Sequence, residues 1–446
     1  MKDIHNSLLR AIKEQTRPAR ILSHVIANKF AKQGGDRSKL DFDKLESAVQ
    51  DKLNKEGLAG LNSLSIETGD AEFDAKDIKI ILEPADIKDL GDRISETIEK
   101  TLPKITVDLS RSLLRGIKRN SKKGLQDRRV EQISFESGLY AHWGKALDLL
   151  AVEVALGTEI GEQLNESLRK KFRKKNLSVV DALTRLHARA IQVAREVEIL
   201  LLSGYADGAI ARWRTLHEIC VVSWFIREQG NEVAERYLSH VAVDSWRGAI
   251  QYNQYASILN YEEIPKRELK ALEQDIQKLK RRFGEKFLEE YGWASEALGK
   301  KNPRFSDIER SVGLSKIRPY YKLASHNIHG GPKGAIYRIG LPPYSKPMLL
   351  AGPSSSGLEE AGRLAAFSFA QITTNILLFS ISFDSLVWSR IMLALSRNVE
   401  AQFIKSQLRL EQEGHKKLRR KQRKRISRSA YLGRKNIRRE NGVRSQ

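Results

Sequence analysis

The chain has 446 residues, too many for one ordinary core, and its length predicts roughly two or three domains. Its 78 Lys and Arg outnumber 55 Asp and Glu, and a formal charge of +23 favours anionic partners: RNA, DNA or an acidic membrane surface. A hydrophobic content of 41% excludes wholesale disorder, and the single cysteine, Cys220, excludes an internal disulfide framework or a Cys-rich zinc module.

That cysteine usage fits a reducing compartment. The N-terminal stretch carries Lys13, Glu14, Arg17 and Arg20 and shows no apolar core of a secretion signal, so a cytoplasmic location is expected. Residues 1–31 read as a helix interrupted near Pro18, and 43–57 as another that Gly57 ends. The best strand candidate is Ile78-Lys79-Ile80-Ile81-Leu82, bounded by Pro84. Asp86 opens an amphipathic helix with Ile87, Leu90, Ile94 and Ile98 on one stripe, expected to stop before Pro103. Helical pattern resumes at 105–119 and 129–156.

A basic run, Arg169 to Lys175 around Phe172, marks the expected domain boundary. Cations at a helix end complement the macrodipole, which is the simpler reading; a phosphate-contacting patch is the functional one. Residues 178–203 form a long helix with Val179, Leu183, Leu186, Ala190, Val193, Val197 and Leu200 along its apolar face. The turn Gly204-Tyr205-Ala206-Asp207-Gly208 follows, with Asp207 placed to cap the next helix, Ala209 to Arg227. So short a link makes the two helices an antiparallel hairpin. Further helices are expected from Asn231 to about Leu259 and from Pro265 to Glu290.

Between Pro303 and Pro353, Gly and Pro cluster, and a long loop is expected. Leu364 to Phe383 carries no charge over 20 residues, but the seven interspersed Ser, Thr, Asn and Gln make it a buried core helix rather than a membrane span. No stable membrane insertion is expected. A helix at 385–410 leads into a tail, residues 405–446, with 16 Lys and Arg against three Glu, a net +13.

The fold class expected is therefore mainly α. It comprises an N-terminal mainly helical region (1–175), a helical bundle domain with a long Gly/Pro-rich loop (176–404), and a basic C-terminal extension (405–446), disordered or helical.

Chemistry-bearing residues concentrate in two places. In Arg212-Trp213-Arg214-Thr215-Leu216-His217-Glu218, Arg214 and Glu218 stand at i and i+4 and share one helix face. The surrounding apolar residues leave that helix little water, and a buried Arg–carboxylate pair invites either a bracing or a functional explanation. The second place is Tyr320 to Gly330, where His326 and His329 lie at i and i+3. No carboxylate stands near them in sequence, so a metal centre is disfavoured and no cofactor is expected. The Gly330-to-Gly334 turn lacks the Ser/Thr and preceding strand of a phosphate-binding P-loop.

Arg214 and Glu218 in an Arg-x-x-x-Glu step, preceded by Ala209, and Tyr321, Ser325, His329 and Gly330 in Tyr-x-x-x-Ser-x-x-x-His-Gly together resemble an uncharacterised helical family, domain of unknown function fifty-six seventy-seven. The resemblance covers about residues 180–395. It implies an α-helical domain whose polar residues, here Arg214, Glu218 and His329, converge on one site. Leu216-His217 departs from the apolar or small residues expected there. Arg212 and His217 also resemble the Arg-x(4–6)-His motif of HEPN-type helical ribonucleases. That resemblance implies metal-independent RNA cleavage, with His217 in proton transfer and Arg212 on the scissile phosphate. Five helical positions turn about 500°, which sets the two side chains about 140° apart, so they converge only at a helix end or across a homodimer interface.

The tail's Lys416, Lys417, Arg419, Arg420, Lys421, Arg423, Lys424 and Arg425 make nucleic acid the expected partner, RNA before DNA, through phosphates rather than base stacking. Two functions follow. One is a nucleic-acid-associated helical protein acting as a metal-independent ribonuclease. The other is a non-catalytic interaction protein in which Arg214–Glu218 is structural and the tail alone binds.

Overall fold

Helix-forming periodicity carries through to the architecture: the described residues contain helices and turns and no β-strand. The computed structural model describes residues 17–32, 34–56, 84–172, 177–342 and 349–442. The strand candidate at 78–82, the helix end at Gly57 and the last part of the basic run, 173–175, lie outside them.

Two compact units divide between Arg129 and Val130. In the first, helices α1 (Pro18–Lys32) and α2 (Phe42–Glu56) bury Leu22, Ile26 and Phe30 against Leu45 and Val49. Helix α3 (Pro84–Lys171) supplies the rest of the described first unit and continues into the second. It passes through Pro103 instead of stopping there, and it joins the two helices expected at 105–119 and 129–156. Proline removes one N–H and costs a helix interior about 3 kcal/mol. Here Glu99 and residues 102–104 are exposed, so water can satisfy the carbonyl that lost its donor.

The second unit is a helical bundle. Its core joins α3 residues such as Leu139, Trp143, Leu150 and Leu168 to α4 (Leu177–Leu202), α5 (Ala206–Gln229), α12 (Leu358–Leu377) and α13 (Phe383–Gly442). Between α5 and α12 the chain forms α6 (Asn231–Ser239), α7 (Val241–Ala256), α8 (Lys266–Phe283), α9 (Phe305–Ser311), α10 (Arg318–His326) and α11 (Pro332–Ile336). The helix expected from Asn231 to Leu259 is broken at His240, and the stretch expected as loop from Pro303 contains α9, α10 and α11.

α4 and α5 form the expected hairpin. Gly204 turns it at φ +77°, and a Cβ there would stand 2.5 Å from the Phe135 ring. Asp207 does not cap α5. Its carboxylate accepts from Ile339 N at 3.0 Å and Gly340 N at 3.2 Å, fastening the later segment to the hairpin. α12 is buried along most of its length, and Trp213 Nε1 donates to its Ser368 Oγ at 3.0 Å. Among the described residues no helix is long and apolar enough to cross a membrane. At the C-terminus α13 runs on from Phe383 to Gly442, so the backbone of the basic extension is helical to that point.

Candidate functional site

α5 presents its polar residues in several directions because it is packed on several sides. Arg214 and Glu218, one turn apart, face α10. Arg214 Nε donates to Glu218 Oε1 at 3.1 Å, and its Nη2 donates to Tyr321 Oη at 2.7 Å. Tyr321 Oη donates in turn to Glu218 Oε1 at 2.5 Å, closing a three-membered ring of hydrogen bonds. The guanidinium carbon also lies 4.6 Å from the centre of the Tyr321 ring, in cation–π range. Burial and the Glu218 carboxylate both push the Tyr321 phenol up, so it stays a hydrogen-bond donor at any physiological pH. Burial lowers the Arg214 pKa, but the bonds to Tyr321 and Glu218 outweigh it and hold the guanidinium above its ordinary range.

The position just before Glu218 on α5 faces inward. His217 is 1% exposed, and its Nε2 donates to Glu309 Oε1 of α9 at 2.9 Å. The other oxygen, Oε2, accepts from Arg318 Nη1 of α10 at 2.6 Å. Burial alone would raise the Glu309 pKa; the bonds from His217 and Arg318 reverse that and hold its carboxyl below the usual range. Tyr321 stacks on Phe305 at 5.1 Å, and its ring lies 5.8 Å from that of His217. One side of Tyr321 thus closes the His217 pocket while its hydroxyl completes the Arg214–Glu218 ring.

Arg212 points elsewhere. It is paired with Glu196 of α4 and donates from Nη1 to Thr215 Oγ1 at 3.2 Å. The structure therefore does not bring Arg212 and His217 together: one braces the hairpin, the other is sealed against Glu309. Nor does His329 join Arg214 and Glu218. It is exposed in the turn after α10, and among the described residues no hydrogen bond links its ring to either of them. Ser325 donates to the Tyr321 carbonyl at 2.8 Å, a bond within α10. Of the residues expected to converge, Arg214 and Glu218 meet, through Tyr321; the additions that sequence reasoning missed are Glu309 and Arg318.

Two other features bear on chemistry. Among the described residues no group of three or more His, Cys, Asp or Glu side chains is placed to hold a metal ion. A half-open cleft of about 820 Å3 beside α8 is floored by Arg236, but that guanidinium is committed to Glu296 Oε2 at 2.7 Å and to the Trp293 and Phe283 carbonyls. The described part of the basic run is likewise engaged: Arg169 with Asp181, Lys170 with Glu166, and Lys171 with Ser380.

Residues 180–343 match the family of unknown function DUF5677. The match begins where the motif resemblance expected it and ends before α12. It takes in Arg212, Arg214, His217, Glu218, Glu309, Arg318, Tyr321 and His329, so the whole polar cluster lies within the DUF5677 segment, and the basic extension lies outside it. No curated protein and no solved structure matches the chain.

Proposed function

We propose that this protein is a non-catalytic nucleic-acid-binding protein, RNA before DNA, in which the DUF5677 segment is a braced helical scaffold and the C-terminal extension of α13 engages phosphates. The observation that carries this reading is the charge of that extension: a net +13 in residues 405–446, on a backbone that is helical through Gly442. At 1.5 Å per residue the helical part from Lys405 spans about 57 Å. Lys416 and Arg419 within it are exposed. A rod of that length and charge neutralises several phosphates and releases their counterions, which favours binding with little sequence preference.

The scaffold reading rests on where the candidate catalytic groups are committed. A general acid–base histidine must reach the proton it moves. His217 is sealed at 1% exposure with its Nε2 on Glu309, and Arg212 is turned to Glu196. Both are spent on holding α5 to its neighbours. A ribonuclease built on Arg212 and His217 would have to break both contacts.

The test is incubation of the full chain with labelled RNA, followed by mobility shift and by analysis of RNA length. Retarded, intact RNA is expected, and replacing Lys416, Lys417, Arg419, Arg420, Lys421, Arg423, Lys424 and Arg425 with Gln should abolish most of the shift. Cleavage that disappears in Arg212→Ala and in a folded His217→Gln would overturn the scaffold reading in favour of the ribonuclease. An unchanged shift in the Gln-substituted extension would overturn the assignment of the binding surface.

A further inference from the structure

The C-terminal extension does not hold all the excess charge. Residues 104–129, in the first unit, carry nine Lys and Arg against Asp108 and Asp127, a net +7 in 26 residues. With the extension's +13 removed as well, the other 378 residues carry only +3. The charge that makes the chain basic therefore sits almost wholly in two helical segments, and the first of them is described in full.

Its cations are ordered. At about 100° per residue, Lys104, Arg111, Arg115, Lys118, Lys122 and Arg129 fall within about 60° of arc and form one straight row along α3. All six are exposed. Arg111, Arg115, Lys118 and Lys122 succeed one another at axial steps of about 4.5–6 Å, and the whole row extends about 38 Å. Asp108 flanks it and approaches Arg111 at 3.8 Å, a loose contact between two exposed side chains. Among the described residues no ion pair or hydrogen bond engages the side chains of Arg115, Lys118, Lys122 or Arg129, so the row is not neutralised within the described structure.

The choice of partner follows from what else the helix carries. Leu102, Leu109, Leu113 and Ile117 lie on the side opposite the row, centred about 180° away. A helix lying in a membrane interface carries its cations on the polar face and anchors the opposite face with Trp, Phe and Leu. Residues 104–129 contain no Phe, Trp or Tyr, so the aromatic anchors of such a helix are absent. The same lack of aromatic residues rules base stacking out as the main mode. A straight, exposed, unneutralised row of Arg and Lys is complementary to a phosphate backbone, which Arg can grip in bidentate fashion.

We infer that the row Lys104–Arg111–Arg115–Lys118–Lys122–Arg129 is a second nucleic-acid-binding surface, a phosphate track separate from the C-terminal extension. This rests on the reading of the protein as a nucleic-acid binder, and the experiment separates the two. Each phosphate contact contributes about 0.9 to the slope of log affinity against log salt on duplex DNA, and about 0.7 on a single strand.

The full chain carrying Arg111→Gln, Arg115→Gln, Lys118→Gln and Lys122→Gln is titrated across salt with labelled single-stranded RNA and duplex DNA. It is compared with the wild type and with the Gln-substituted extension. Gln keeps helix propensity close to that of Arg and Lys, and circular dichroism checks that the helix is retained. The slope should fall by about 3 for the row variant, with measurable binding left in the extension variant. A companion with Arg111→Lys and Arg115→Lys should keep most of the slope, since charge is conserved.

A row variant with the wild-type slope on both probes, alongside an extension variant that has lost binding, overturns the track and leaves the extension assignment standing. Wild-type behaviour in both variants overturns both. Binding of the wild type to phosphatidylserine vesicles, lost in the row variant, with no binding to either nucleic acid, overturns the track in favour of a membrane surface.

Discussion

Replacing Glu309 with alanine should destabilise the second unit by about 3 kcal/mol, and the estimate follows from its contacts. The carboxylate is fully buried and both oxygens are engaged, one by His217 at 2.9 Å and one by Arg318 at 2.6 Å. Removing one partner of a buried pair costs about 3–5 kcal/mol because the other partner is left uncompensated. The Arg318 side chain is 33% exposed and recovers some hydration, which places the cost at the low end of that range. For a unit of some 300 residues, about 1.5 °C per kcal/mol translates this into a Tm loss of roughly 4–5 °C.

Urea unfolding followed by tryptophan fluorescence is the assay, since the Trp213 ring lies 5.5 Å from that of His217. Glu309→Gln, which keeps one acceptor, should lose roughly half as much. The pH dependence has a definite sign. Glu309 titrates below its usual range when folded, so its contribution is present above pH 4–5 and disappears as pH falls through the lowered folded value. Wild type and Glu309→Gln should therefore converge in acid. A Glu309→Ala protein within 1 kcal/mol of wild type at neutral pH, on the scale of an ordinary surface substitution, would refute the reasoning.

Three further outcomes are expected. Glu153 is buried in α3, neither of its carboxylate oxygens is hydrogen-bonded among the described residues, and burial pushes its pKa well up. Glu153→Met should stabilise by roughly 1–3 kcal/mol at neutral pH, a gain that shrinks towards pH 4, as denaturant midpoints across pH will show. His187 is buried against Thr373 and burial lowers it to about 4, so the unfolded chain takes up its proton first as pH falls. Its contribution should decline by about 3 kcal/mol between pH 6.5 and 4, and His187→Gln should lack that part of the slope. Burial pushes the Cys220 thiol up to about 12, so a thiol reagent should label it only as fast as the second unit opens; rapid native labelling would contradict its placement.

What was legible in the sequence was what depends on local spacing. The α4–α5 hairpin follows from one apolar face, a glycine turn and a second apolar run, and the Arg214–Glu218 contact follows from i, i+4 geometry. What was hidden depends on segments far apart in the chain. Glu309 lies 92 positions from His217, and Tyr321 lies 103 from Glu218. A signal for Glu309 existed: with Phe305 and Ile308 it occupies an i, i+3, i+4 set, so it is a charge on the apolar face of a short helix. Glu153, three residues after Leu150 and one before Val154, carries the same mark. The row along α3 was missed for the opposite reason. Its cations are spaced three, four and seven apart, so no dense run announces them, whereas the dense run at 169–171 proved to be engaged with its neighbours.

Electrostatic nucleic-acid binding is tested most directly by a salt titration of the full chain with labelled single-stranded RNA. With about eight phosphates neutralised, the log–log slope should be near −6, a loss of roughly three orders of magnitude between 50 and 200 mM salt. Affinity that is flat across that range, or an absence of binding at 50 mM by the folded protein, would contradict it.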